Sequence, residues 1–130
     1  MKKLPQTSNK LNIALWTAQI ILFLLFISGA GMKLFIPADN LAAMWPWTAD
    51  NRNLVIFTGI LDALAAFGLI LPMITGIAPK LTFYAALSAA LLMIAAIVFH
   101  VSRGEAGQIG INVFALVLTL FIAWGRKPIK

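Results

Sequence analysis

Four side chains that could bind a small molecule and move a proton stand inside or beside stretches that are otherwise apolar: Lys33, Asp62, His100 and Asn112. A carboxylate can carry a proton, an ammonium or an imidazole can hydrogen-bond a carbonyl oxygen, and an amide can donate or accept. The stretch "NLVIFTGILDALAAFGLILP", residues 53–72, poses the problem most sharply, because Asp62 lies near its middle. Ionisable groups in such segments are costly, so they face a protein interior, find partners and mark a site. A structural role competes on equal terms, since hydrogen bonds between helices in a membrane, at about 1 kcal/mol each, can fix register with no ligand at all. The single histidine and the absence of cysteine narrow the chemistry further. Thiol–disulfide exchange, thiolate metal sites and iron–sulfur clusters are excluded for this chain, and one chain cannot supply bis-histidine ligation. No phosphate-binding glycine loop, His–Glu metal motif, nucleophile elbow or internal repeat is present. No metal site is expected, and no self-contained catalytic constellation decides whether the chain is an enzyme.

The elements that must position these groups follow from composition. Of the 130 residues, 62% are hydrophobic and 11% charged, whereas soluble domains run to about half and about a quarter. The expectation is an integral membrane protein of one domain, residues 1–130. Apolar runs long enough for helical spans cover about 11–35, 54–71, 80–101 and 109–124. Pro37 closes the first, Pro72 closes the second and Pro79 precedes the third. The loops after the second and third spans are short, which predicts an all-α fold: an antiparallel bundle of four transmembrane helices. The longer first outer loop predicts a short interfacial helix, capped by Asp39 or Asn40, running through Met44 and ended by Pro46.

Charge sets the orientation. Lys2, Lys3, Lys10, Lys80, Arg126, Lys127 and Lys130 fall on one side of the spans, and Lys33, Arg52 and Arg103 on the other. Positively charged flanks face the cytoplasm, so both termini of this multi-pass protein are expected there. Trp16 and Trp124 then mark the inner boundary, and Trp45 and Trp47 the outer one. The first run is longer than a signal-peptide core, and its retention as a span is expected. Basic residues confined to the ends, with no stripe of interleaved polar groups, argue against nucleic acid as a partner.

On these spans the four polar groups converge. Asp62 lies eight residues into a descending helix, roughly 12 Å deep. Helical side chains lean toward their own N-terminus. Lys33, near the top of an ascending helix, therefore leans down toward Asp62, which leans up. His100 leans inward and Asn112 outward, so all four should meet in the outer half. Gly29, Gly31, Gly59 and Ala63, with Ala85, Ala86, Ala89 and Ala90, leave room for close helix packing. Gln19, alone in the inner half, reads as an interhelical hydrogen bonder.

"AGMKLFIP" ending the first span, "GILDALAAFGLILP" in the second, a histidine followed by "RGE" closing the third, and "N…AWGR" in the fourth together resemble the DoxX-like proteins. The resemblance covers nearly the whole chain and implies a small bacterial four-helix membrane protein. Its carried-over positions are Lys33, Asp62, His100 and Asn112, with Asp62 standing where relatives often have glutamate. It further implies an accessory or scaffold subunit of a membrane redox or oxidative-stress system. The alternative it implies is a quinone-binding subunit of an oxidoreductase, in which Lys33 or His100 hydrogen-bonds a quinone carbonyl and Asp62 relays a proton. The expected partners are the lipid bilayer, a protein or redox subunit meeting the outer loop, and a further copy of this chain.

Overall fold

A computed structural model describes residues 8–128, and among them the chain is all helical. The helices are α1 (Asn9–Phe35), α2 (Ala38–Met44), α3 (Arg52–Thr75), α4 (Leu81–Ser102) and α5 (Gly110–Gly125), with single 3-10 turns over Pro46–Thr48 and Ala106–Gln108. Three of them, α1, α3 and α4, are long and apolar enough to cross a membrane, and α5 is a shorter apolar helix. Lys2, Lys3 and Lys130, counted above among the orienting charges, lie outside the described residues.

Each long helix buries one stripe at helical spacing. In α1 the stripe is Leu15, Ala18, Leu22, Phe26 and Ala30; in α3 it is Val55, Gly59, Asp62, Ala66 and Leu69. Asp62 thus occupies a core position, one turn from Gly59 and one from Ala66. The opposite faces are apolar too, with Leu24, Phe57, Leu64, Leu91, Val98 and Val117 all exposed. A helix that is hydrophobic all round is stable only where its surroundings are apolar on every side, so these outer faces meet lipid. Among the described residues, eight of the sixteen buried apolar ones are alanine. That is the packing expected where lipid removes the hydrophobic drive and close backbone approach must hold helices together.

The main packing pairs are α1 with α3, α4 with α5, α3 with α4, and α1 with α5. Along the first pair, Lys33 near the end of α1 meets Asp62 near the middle of α3, while Gln19 in the first half of α1 meets Leu69 further along α3. The start of α1 is fixed by Ser8, whose Oγ accepts from Leu11 N–H at 3.2 Å.

Two boundaries differ from the sequence expectation. Pro72 does not close α3; the helix runs on to Thr75 and ends where Gly76 turns left-handed at φ +71°, its N–H reaching Pro72 O at 3.2 Å. A proline removes one donor and loosens the turn before it, but inside a bundle a neighbour can brace that turn. Gln19 does so: its Nε2 donates to Leu69 O at 2.7 Å, as an interhelical hydrogen bonder should. The helix in the first loop exists, but neither Asp39 nor Asn40 caps it. Pro37 takes the cap position, its carbonyl accepting from Leu41 N–H at 3.0 Å, and Asp39 falls in the first turn, where the helix dipole favours it. Pro46, expected only as a terminator, also opens the 3-10 turn that follows.

Candidate functional site

A cavity of about 570 Å³ opens where α1 and α4 end and α3 and α5 begin. Lys33, Asp62, His100 and Asn112 all line it, so the structure brings together all four residues singled out from the sequence. Its volume lies within the range of about 300–1,000 Å³ common for small-molecule sites. Its deeper wall is apolar, formed by Leu25, Phe26, Leu92 and Met93, and Trp45, Trp47 and Phe99 add aromatic faces.

Lys33 and Asp62 form the charged part of the wall. Nζ lies 2.8 Å from Oδ2, with the two side chains 15% and 7% exposed. Two glycines make that approach fit. A Cβ on Gly59 would stand 3.0 Å from Lys33 Cβ, and one on Gly29 would stand 3.3 Å from Asp62 Oδ2. Small residues at these positions therefore shape an ion pair as well as helix packing. Lys33 Nζ also lies 5.8 Å from the centre of the Trp47 ring, within cation–π range. It keeps further N–H groups for another acceptor.

His100 is set by the way α4 ends. Gly104 adopts φ +77°, and two hydrogen bonds close the helix behind it: Glu105 N–H to His100 O at 2.8 Å and Gly104 N–H to Val101 O at 3.0 Å. This Schellman pattern turns the chain back over the last turn. It delivers the Glu105 carboxylate to His100, with Oε1 2.9 Å from Nδ1 and 3.2 Å from Arg103 Nε. The hydrogen bond from His100 holds the Glu105 carboxyl below its ordinary range; burial opposes it, and Arg103 adds to the lowering. A carboxylate bound at Nδ1 fixes the ring's orientation and leaves Nε2 for other partners, the arrangement that catalytic and metal-binding histidines use.

Trp47, expected at the outer boundary of the spans, turns its ring toward protein. Its ring stands edge-on to His100 at 5.8 Å and to Phe99 at 5.6 Å, over the cavity. The loop that carries it is tied by Thr48 Oγ1 to Trp45 O at 2.8 Å and by Asn51 Nδ2 to Trp47 O at 2.7 Å. An indole at a membrane boundary can face lipid or protein, and here the polar cluster and the tied loop draw it inward. Asn112, half-buried in the first turn of α5, has no hydrogen-bond partner among the described residues.

A second polar cluster lies where α1 starts and α5 ends. Arg126, counted from sequence as an orienting charge, is only 3% exposed. Nε donates to Gln19 Oε1 at 2.9 Å, Nη1 donates to Asn12 Oδ1 at 2.9 Å, and the guanidinium lies 5.8 Å from the centre of the Trp16 ring. Burial lowers its pKa, but an arginine stays protonated in proteins. Glu105 was readable in principle, since a glycine followed by an acid at a helix end signals this return of the chain. Arg126 gave no such signal, because a basic residue flanking a span looks the same whether it is solvated or buried. Among the described residues no group of three or more His, Cys, Asp or Glu side chains could hold a metal ion.

Comparison with known proteins adds one finding to this geometry. Neither the curated proteins nor the solved structures contain a match to the chain. The sequence model of the DoxX-like family matches residues 17–122, which takes in every residue of the cavity cluster. The chain belongs to the DoxX-like family.

Proposed function

We propose that this protein binds a lipid-soluble ring bearing hydrogen-bonding oxygens, a quinone or quinol, in the cavity between α1, α3, α4 and α5, and serves as the membrane subunit of a redox system. One observation carries the reading: the Lys33–Asp62 ion pair, His100 and Asn112 border open space and do not bond to one another across it. Structural glue would fill that space with its own hydrogen bonds, whereas Asn112 has no partner among the described residues and Lys33 retains donors toward the cavity. An amphipathic ring suits walls that are apolar in depth and polar at one end. Lys33 donates to a ring oxygen, with Asp62 holding Nζ in place and neutralising its charge. His100, steadied by Glu105, faces a second oxygen and exchanges a proton with it. Trp47 and Phe99 cover the ring. The electron-transfer partner is a protein carrying its own redox centre, met at the loop between α1 and α3.

In this reading α5 is the fourth span, the helices alternate in direction, and both termini lie in the cytoplasm of a bacterial inner membrane. The opposed running of contacts along α1 and α3 supports the alternation, and the lysines and arginines support the orientation. Single cysteines at Ser8, Asp50 and Gly107 test it with an impermeant thiol reagent on intact cells. Labelling at Asp50 and Gly107 but not at Ser8 is expected, and labelling at Ser8 overturns the orientation. The functional test is equilibrium binding of a short-chain quinone to purified protein. Saturable binding, weakened in Lys33→Met and in His100→Ala, is expected. Absence of binding, or equal binding by all three proteins, leaves the scaffold role in its place.

A further inference from the structure

The Arg126 cluster plays no part in that reading, and its charge balance is unusual. The four acidic side chains of the chain are Asp39, Asp50, Asp62 and Glu105. Asp62 and Glu105 belong to the cavity site, and Asp39 and Asp50 flank the loop over it. No Asp or Glu occurs in residues 1–38, 63–104 or 106–130. The end of the bundle that holds Arg126 therefore has no side-chain carboxylate of its own, and it also carries Lys10, Lys80 and Lys127.

Arg126 sharpens the imbalance. Its guanidinium is buried against two amide oxygens and an indole, all neutral. Its Nη2 is fully buried and has no hydrogen-bond partner among the described residues. A buried charge without a counter-charge is costly, and the field of an uncompensated cation in a low-dielectric surround extends to the nearest anion. Trp16, half-buried beside Arg126, and Trp124, 67% exposed, mark this end as lying at the boundary between lipid tails and headgroups. The anions at that depth are lipid phosphates.

We propose that the Arg126 end of the bundle is a binding surface for anionic phospholipid headgroups, with Arg126 as its buried positive centre and Lys10, Lys80 and Lys127 as its rim. The rim lysines reach the phosphates, while Arg126, held by Asn12 and Gln19, supplies a fixed positive potential that no acidic side chain of this end cancels. A basic side chain beside an anionic surface is worth a factor of about five in affinity, so loss of several should be plainly measurable.

The test uses the full chain in neutral detergent micelles, in a Trp45→Phe/Trp47→Phe background that leaves Trp16 and Trp124 as reporters. A C-terminal tag moves the chain's terminal carboxylate away from Arg126. Brominated phosphatidylglycerol and brominated phosphatidylcholine are titrated separately, and quenching is read. Phosphatidylglycerol should bind more tightly by about five-fold or more. The preference should fall several-fold in Lys10→Gln/Lys80→Gln/Lys127→Gln, whose substitutions lie outside the packed core, and in Arg126→Gln, whose amide can keep one hydrogen bond to α1. Inorganic phosphate at millimolar concentration should not displace the lipid. Equal quenching by the two lipids overturns the proposal, and displacement by inorganic phosphate overturns its assignment to lipid. An unchanged preference in the triple-lysine protein overturns the rim, and one in Arg126→Gln overturns the role of the buried centre.

Discussion

At one end of the bundle Lys33 Nζ lies 2.8 Å from a carboxylate and beside a cavity of about 570 Å³. At the other, the Arg126 guanidinium is closed in by α1 and α5 and meets, among the described residues, amide oxygens and an indole. The residue types would have suggested the carboxylate beside the arginine, because Arg suits bidentate pairing with a carboxylate better than Lys does. The contrast shows what each end is built for. A lysine on a flexible stem, neutralised by Asp62, can hold a hydrogen bond toward open space at little electrostatic cost. An arginine with its plane fixed by Asn12 and Gln19 ties the first helix to the last and leaves a positive charge standing.

The largest effect that should separate the two ends comes from stranding a charge rather than deleting one. Asp62→Asn leaves Lys33 without its counter-ion, and a loss of about 3 kcal/mol is expected, the low end for a broken buried pair because Lys33 keeps some exposure. Asp62→Asn combined with Lys33→Met removes both charges and should recover part of that loss. Unfolding in mixed micelles measures it, and a double variant no more stable than the single would show the pair to be uncoupled.

Arg126→Met removes its charge outright. It leaves Gln19 Oε1 and Asn12 Oδ1 unpaired in packed surroundings, for an expected loss of about 2 kcal/mol. Quinone affinity should not change with it, whereas Lys33→Met and His100→Ala should lower it. A fall in quinone affinity in Arg126→Met would mean that the two ends are coupled.

Gly59→Ala sharpens the comparison at the cavity end alone. The added methyl would lie 3.0 Å from Lys33 Cβ and 3.1 Å from the Leu34 side chain, so overpacking should cost about 1–2 kcal/mol. Quinone affinity should fall with it, because Lys33 must shift. Stability and affinity both unchanged would show that α1 can move away freely.

The smallest effect is acid sensitivity. The Glu105 carboxyl is held below its ordinary range by His100 first and Arg103 after it, with burial opposing. A depressed folded-state pKa means that this contribution is fully present above the ordinary glutamate value of 4.5 and is lost as pH falls below it toward the folded value. Thermal melts should therefore drop slightly more in the native protein than in Glu105→Gln as pH is taken from 4.5 down to about 3. Parallel curves would remove Glu105 from the site.

Much of this was legible in the sequence for particular reasons. Asp62 declared itself because a carboxylate inside an apolar run has few explanations, and the lean of helical side chains then indicated Lys33, His100 and Asn112 as its neighbours. All four line one cavity. The helix ends were less legible. Pro72 reads as a stop because its missing donor counts fully against a lone helix, and only the fold shows Gln19 bracing the loosened turn. The depth of Trp47 fits lipid and protein equally well, and its contacts with Phe99 and His100 decide between them. Arg126 was hidden for the same reason: charge near a span end gives the side of the membrane and says nothing about burial.

The most direct test of the central claim, that the cavity end is the ligand site, is photolabelling with a short-chain azidoquinone, mapped by mass spectrometry of peptides. Adducts are expected on the segments around Met32, Trp45–Trp47 and Phe99–Asn112, and excess unmodified quinone should abolish them. Adducts spread over lipid-facing positions such as Leu64, Leu91 and Val117, or gathered near Trp16 and Arg126, and insensitive to competition, would contradict it.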